Sequence, residues 1–180
     1  MLIILFGVSG VGKTSIIEYL IEKCQYKPIH VFTTRELREK EKIKIHLSSE
    51  QFKEMSDLGE FLWVNEFYGS LYGTSKIDIV KALNSSERFI LDYSLKNFKD
   101  IERIPCLKII VKPESTELLK KQIISAKRSE RLEETLYDYT SNYSEEVLNK
   151  YRDCGVYVVT NLYNKLDQTI NEIKMITSED

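Results

Sequence analysis

The 180-residue chain is poor in cysteine: Cys24, Cys106 and Cys154 lie far apart, with no C-x-x-C among them. An odd, scattered set excludes a disulfide framework and is expected of a reduced, cytoplasmic chain. There are only two histidines, His30 and His46, with no ligand-like spacing to each other or to a cysteine, so no structural zinc is expected. The charge balance is nearly even, at −2, which gives no general attraction to nucleic acid or an anionic membrane. No apolar run is long enough to span a bilayer, and repeats, low-complexity segments and linkers are lacking. The apolar start, Leu2 to Phe6, has no basic flank and runs into glycines, so it reads as a strand and not a leader peptide. What remains is a chain sized for one domain, with room for small mobile insertions.

Within it, strands and helices alternate. Leu2–Phe6 is a continuous apolar run, the mark of a parallel strand covered on both faces. Residues 13–24 place Ile16, Ile17, Leu20 and Ile21 on one helical face. A second strand is expected at 28–32, followed by a charged stretch, TTRELREKEKIK. Ser48 or Ser49 is positioned to cap a helix over 50–57 that ends near Gly59. Residues 60–72 alternate as short antiparallel strands, and 75–84 read as helix. Strands follow at 88–93 and 106–112. A helix led by Ser115 or Thr116 opens a long charged helical region to about residue 150. A strand at 155–160 and a helix at 163–176 complete the pattern. Such alternation predicts an α/β fold with a parallel sheet flanked by helices.

Between the first strand and the first helix lies GVSGVGKT, residues 7–14, which fits G-x-x-x-x-G-K-[ST] without a gap. Glycines let consecutive N–H groups turn inward around an anion, and the helix start adds its positive dipole end. Gly7, Ser9, Gly10, Val11, Gly12, Lys13, Thr14 and Ser15 are thus the expected contacts of ATP. Lys13 is expected to reach the β- and γ-phosphates and Thr14 to ligate Mg²⁺. The loop specifies a nucleoside triphosphate and leaves the acceptor open.

Five further blocks resemble the guanylate kinases, and the resemblance covers most of the chain. FTTRELREKE (32–41) resembles their Ser-Thr-Thr-Arg-x-x-Arg segment, and HLSSEQFKEMSDLGEFL (46–62) the helix and strand that open their nucleotide-binding lobe. GSLYGTS (69–75) resembles their Gly-Asn-x-Tyr-Gly-Thr segment, FILDYS (89–94) the strand ending in an acidic pair, and VVTN (158–161) their last strand. The resemblance implies a P-loop kinase fold with a core at 1–32, 73–119 and 146–180. It also implies an acceptor lobe at 33–72 and a helical lid at 120–145. Arg35, Arg38, Tyr72 and Thr74 are implied as acceptor contacts, Asp92 as a Mg²⁺ ligand, and Asn161 as a neighbour of the ATP base. Physical chemistry agrees for the arginines, because two guanidinium forks suit one doubly charged phosphate. Lid cations are expected among Lys127, Arg128 and Arg131, although the family's Arg-Gly lid signature is absent.

The departures gather at base recognition. Where the family places a Ser or Thr, a Glu and an Asp to read guanine, this chain has Val31, Trp63 and Ser94. Tryptophan offers one donor and no acceptor, plus a large stacking surface. Glu60 and Glu66 lie at odd offsets from Trp63 and face away from it in an unbroken strand. The resemblance therefore implies an ATP- and Mg²⁺-dependent kinase of a nucleoside monophosphate, GMP or dGMP by family, acting as monomer or homodimer. Two other readings remain open: a kinase of another small phosphate monoester such as a ribose phosphate, or a non-catalytic phosphopeptide-binding module.

Overall fold

A computed structural model describes residues 1–37, 41, 43–67 and 69–178. The chain divides into two compact units, residues 1–2 with 26–91 and residues 3–25 with 92–180. Strands β1 (Leu2–Phe6) and β7 (Phe89–Tyr93) contribute residues to both; with β2 (Lys27–Pro28), β8 (Leu107–Pro113) and β9 (Tyr157–Asn161) the strand order of the parallel sheet is β2-β7-β1-β8-β9.

In the second unit, β1 pairs in parallel with β8 (Leu107–Pro113), Ile3 opposite Leu107 through Phe6 opposite Ile110. The β8 strand pairs with β9 (Tyr157–Asn161), ending with Pro113 opposite Asn161. All five residues of β1 are buried, as its unbroken apolar run requires. Helix α1 (Lys13–Cys24) buries Ile16, Ile17 and Leu20 and contacts α8 (Leu166–Ile176), which also lies against β9. The expected long helical region is broken. It forms α5 (Thr116–Ser125), a 3₁₀ turn (Ser129–Arg131), α6 (Leu132–Asn142) and α7 (Glu145–Asp153). The break after α5 falls where Lys127 adopts φ 54, which no helix accommodates. The second falls where Ser144 turns extended and its side chain accepts from Val147 N–H, capping α7.

In the first unit, β2 (Lys27–Pro28) pairs in parallel with β7. A separate sheet has the order β4-β3-β6-β5, from β3 (Val31–Thr33), β4 (Lys44–His46), β5 (Phe61–Phe67) and β6 (Ser70–Ser75). The single strand expected at 28–32 is two strands in two sheets. Pro28 has no N–H for a ladder, and His30 N–H goes to the Asp78 carboxylate at 2.9 Å. Helix α2 (Ser49–Asp57) is fixed at its start by a capping box between Ser48 and Gln51. Its Phe52 stacks on Phe61, with centroids 4.7 Å apart, and Phe61 lies 5.6 Å from Phe32. Helices α3 (Lys76–Leu83) and α4 (Phe98–Ile101) complete the element list.

Candidate active site

The loop after β1 is shaped around positions that exclude side chains. A Cβ on Gly7 would lie 2.8 Å from the Val111 carbonyl, and one on Gly12, at φ 95, would clash with Asn161 Nδ2. Gly12 ends the loop and starts α1, whose first turn carries neither an acidic side chain nor a side-chain cap. The first turn of α1 therefore carries no anion of its own to compete for its N–H groups, which fits a phosphate cradle. Lys13 Nζ donates to the Gly7 carbonyl and, at 3.2 Å, to that of Val8. It lies 3.7 Å from Asp92 Oδ1, with the Lys13 and Asp92 side chains only 11% and 19% exposed. Val11 is buried, Ser9 half-buried, and Thr14 and Ser15 are exposed.

A hydroxyl (Thr14) and a carboxylate (Asp92) thus belong to one unit with the cradle. A hard cation that also takes phosphate oxygens needs no larger set of protein ligands. Among the described residues no cluster of three or more His, Cys, Asp or Glu is arranged for a metal. Tyr143, between α6 and α7, is pushed well above its ordinary pKa by burial first, then by the charges of Asp138, Tyr151 and Asp92. It stays a neutral phenol beside the acidic groups.

Asn161, read as a neighbour of the ATP base, is engaged on the loop. Its Nδ2 donates to the Val11 carbonyl at 2.7 Å, and its Oδ1 accepts from Thr169 Oγ1 at 2.9 Å. Both ends of the carboxamide brace the cradle from β9 and α8.

In the first unit, Arg35 follows β3. Its N–H donates to Thr33 Oγ1 at 3.1 Å and its Nε to the Tyr72 hydroxyl at 3.3 Å. Its Nη2 bonds Glu41 at 2.6 Å, the Arg35 and Glu41 side chains being 12% and 7% exposed. Burial alone would lower the Arg35 pKa, but the hydrogen bond and charge of Glu41, then the Tyr72 hydroxyl, raise it above its ordinary value. The guanidinium therefore stays charged. Lys44 Nζ lies 3.7 Å from the same Glu41 carboxylate. Glu41 escapes a reading of the sequence because it resembles any other charge in a charged loop. Arg38 lies outside the described residues.

Val31, Thr74 and Trp63 stand opposite one another across β3, β6 and β5 in one row of the sheet, Val31 and Thr74 buried and Trp63 half-buried. The β5 pairing is irregular between Phe61 and Trp63 and regular from Trp63 to Phe67. Glu66 thus faces away from Trp63, as expected, and is exposed. The irregularity removes the same parity argument for Glu60, which precedes the strand and is exposed. Ser94 belongs to the other unit, where its carbonyl starts the 3₁₀ turn Leu95–Asn97 after β7. Arg128 and Arg131, both half-buried, bracket the turn between α5 and α6, Arg131 Nε lying 3.7 Å from Glu130. Lys127 beside them is exposed.

The family model described as Guanylate kinase matches residues 1–180. The guanylate kinase of Clostridium acetobutylicum is 32% identical over 164 residues, 83% of this chain and 78% of that protein. That of Clostridium tetani is 29% identical over 185 residues, covering 99% and 85% respectively. In fold, the chain is similar to the crystal structure of guanylate kinase from Anaplasma phagocytophilum. The TM-score is 0.71 at 17% identity, covering 98% of this chain and 83% of that one.

Proposed function

The chain belongs to the guanylate kinase family, and we propose that it transfers the γ-phosphoryl of ATP to a nucleoside monophosphate, GMP and dGMP among them. One observation carries the reading: Lys13, in an intact glycine cradle, is held over the loop carbonyls and beside Asp92. The cradle N–H groups and Lys13 bind and orient the triphosphate. Thr14 and Asp92 would hold Mg²⁺, which when bound neutralises charge on the phosphate oxygens. Arg35, with Arg38 and Tyr72, takes the acceptor's phosphate, one of whose oxygens attacks the γ-phosphorus as ADP leaves. Little covalent chemistry is asked of the protein, so alignment and charge neutralisation supply the rate. Arg128 and Arg131 are the candidate cations for the migrating phosphoryl. An intact cradle supports a catalyst over a phosphopeptide-binding module. The row Val31–Thr74–Trp63 supports weak discrimination among bases, because it holds no carboxylate to pair with guanine's two donors.

The test is a mixture of the chain with ATP, Mg²⁺ and GMP, in which ADP and GDP are measured together. They form in equal amounts if the reading holds, and Lys13→Ala abolishes both while leaving the melting temperature near that of the parent. A fully active Lys13→Ala variant, or ADP release without a phosphorylated nucleotide, overturns it.

A further inference from the structure

We propose that Asn65 reads the base of the acceptor, with Trp63 as the surface on which that base stacks; the inference rests on the acceptor assignment above. The strand register carries it. Tyr72 stands opposite Thr33 on one side and Asn65 on the other. Directly paired residues of antiparallel strands point to the same face, their Cβ atoms about 4.5–5.5 Å apart. Thr33, Tyr72 and Asn65 thus form one row, beside the row of Val31, Thr74 and Trp63. The first row is tied to the phosphate arginine, since Arg35 donates to both Thr33 Oγ1 and the Tyr72 hydroxyl. Asn65 is the residue reached next, moving along that row away from β3. It is half-buried, while Val64 and Glu66 on either side of it are exposed on the opposite face. Along β5 the same face presents Trp63, Asn65 and Phe67, so its polar head is a single carboxamide between two aromatic rings.

The chemistry of that carboxamide differs from a carboxylate in one respect. A carboxylate offers only acceptors and suits guanine, whose N1–H and N2–H₂ lie side by side. A carboxamide offers one donor and one acceptor, and rotating it by half a turn reverses their order. Every base has an edge on which a donor and an acceptor adjoin: N6–H₂ and N7 of adenine, N1–H and O6 of guanine, N4–H₂ and N3 of cytosine, N3–H and O4 of uracil. Aromatic stacking is equally indifferent to the base. Asn65 and Trp63 together therefore strengthen binding of any nucleoside monophosphate and select weakly among them.

The experiment is a calorimetric titration of the full chain, without ATP, using GMP, AMP, CMP, UMP and ribose 5-phosphate. Asn65→Ala is expected to weaken all four nucleotides by about ten- to a hundredfold, the scale of one bidentate base contact, and to leave ribose 5-phosphate and ATP unchanged. Asn65→Asp, with acceptors only, is expected to raise the affinity ratio of GMP over AMP. An equal loss for ribose 5-phosphate assigns Asn65 a merely structural role behind Tyr72 and overturns the proposal. So do an unchanged nucleotide profile in Asn65→Ala and an unchanged GMP-to-AMP ratio in Asn65→Asp. If the parent chain binds ATP but no monophosphate, the acceptor assignment fails, and this inference falls with it.

Discussion

Asn161 Nδ2 donates to the carbonyl of Val11 at 2.7 Å, although the two residues are 150 positions apart. The same nitrogen would clash with a Cβ on Gly12, so the last turn of the phosphate loop and the end of β9 fit each other. With its oxygen held by Thr169, the carboxamide has a fixed orientation. Asn161→Ala is expected to remove about 1 kcal/mol of loop bracing, roughly a fivefold rise in the KM for ATP. The KM of the acceptor stays as it was. If ATP affinity holds and only the preference for ATP over GTP changes, Asn161 acts on the base instead.

Arg35 is charged, half-buried and shared between Tyr72 and Glu41. Losing a charge-assisted contact costs about 1.5–3 kcal/mol, so Arg35→Lys, which keeps charge but loses the fork, raises the acceptor KM about ten- to a hundredfold. The KM for ATP does not move. A change confined to ATP would remove Arg35 from the acceptor site.

Gly73 has the Phe61 ring against it, with three ring atoms 2.7 Å from where a Cβ would lie. Gly73→Ala forces that ring from its place among Phe32 and Phe52, an overpacking cost of about 1–3 kcal/mol. In a chain of this size that lowers Tm by roughly 2–4 °C per kcal/mol. An unchanged Tm would show that Phe61 moves aside freely.

How far the sequence reveals all this varies by element, for physical reasons. The bounds of α1 are readable to the residue because Gly12 stops the loop and the buried set Ile16, Ile17 and Leu20 is strictly helical. Strand β4 is not, because Lys44-Ile45-His46 has one apolar residue and is a strand only by pairing with β3. The glycine loop between β1 and α1 is readable as a motif. The tie from Asn161 to Val11 is not, since it comes from chain folding alone. Strand parity correctly turns Glu66 away, whereas the irregularity before Trp63, where the Phe61 ring lies against Gly73, is a relationship between strands. Asn65 draws no notice in the sequence because its place opposite Tyr72 is set by strand register.

On the proposed acceptor assignment, base preference is expected to follow from the row of Val31, Thr74 and Trp63. Discrimination arises mainly from buried polar groups that the wrong ligand would leave unpaired, and Val31 and Trp63 supply few of them.

The most direct measurement is kcat/KM for GMP, dGMP, AMP, CMP, UMP and dTMP with saturating ATP and Mg²⁺ under one set of conditions. Turnover is expected with GMP, along with turnover of at least one other base within about a hundredfold of it, the range of a site without strict polar readers. A preference for GMP above roughly a thousandfold, on the scale of a well-paired polar site, would contradict the account, as would no turnover with any of the six.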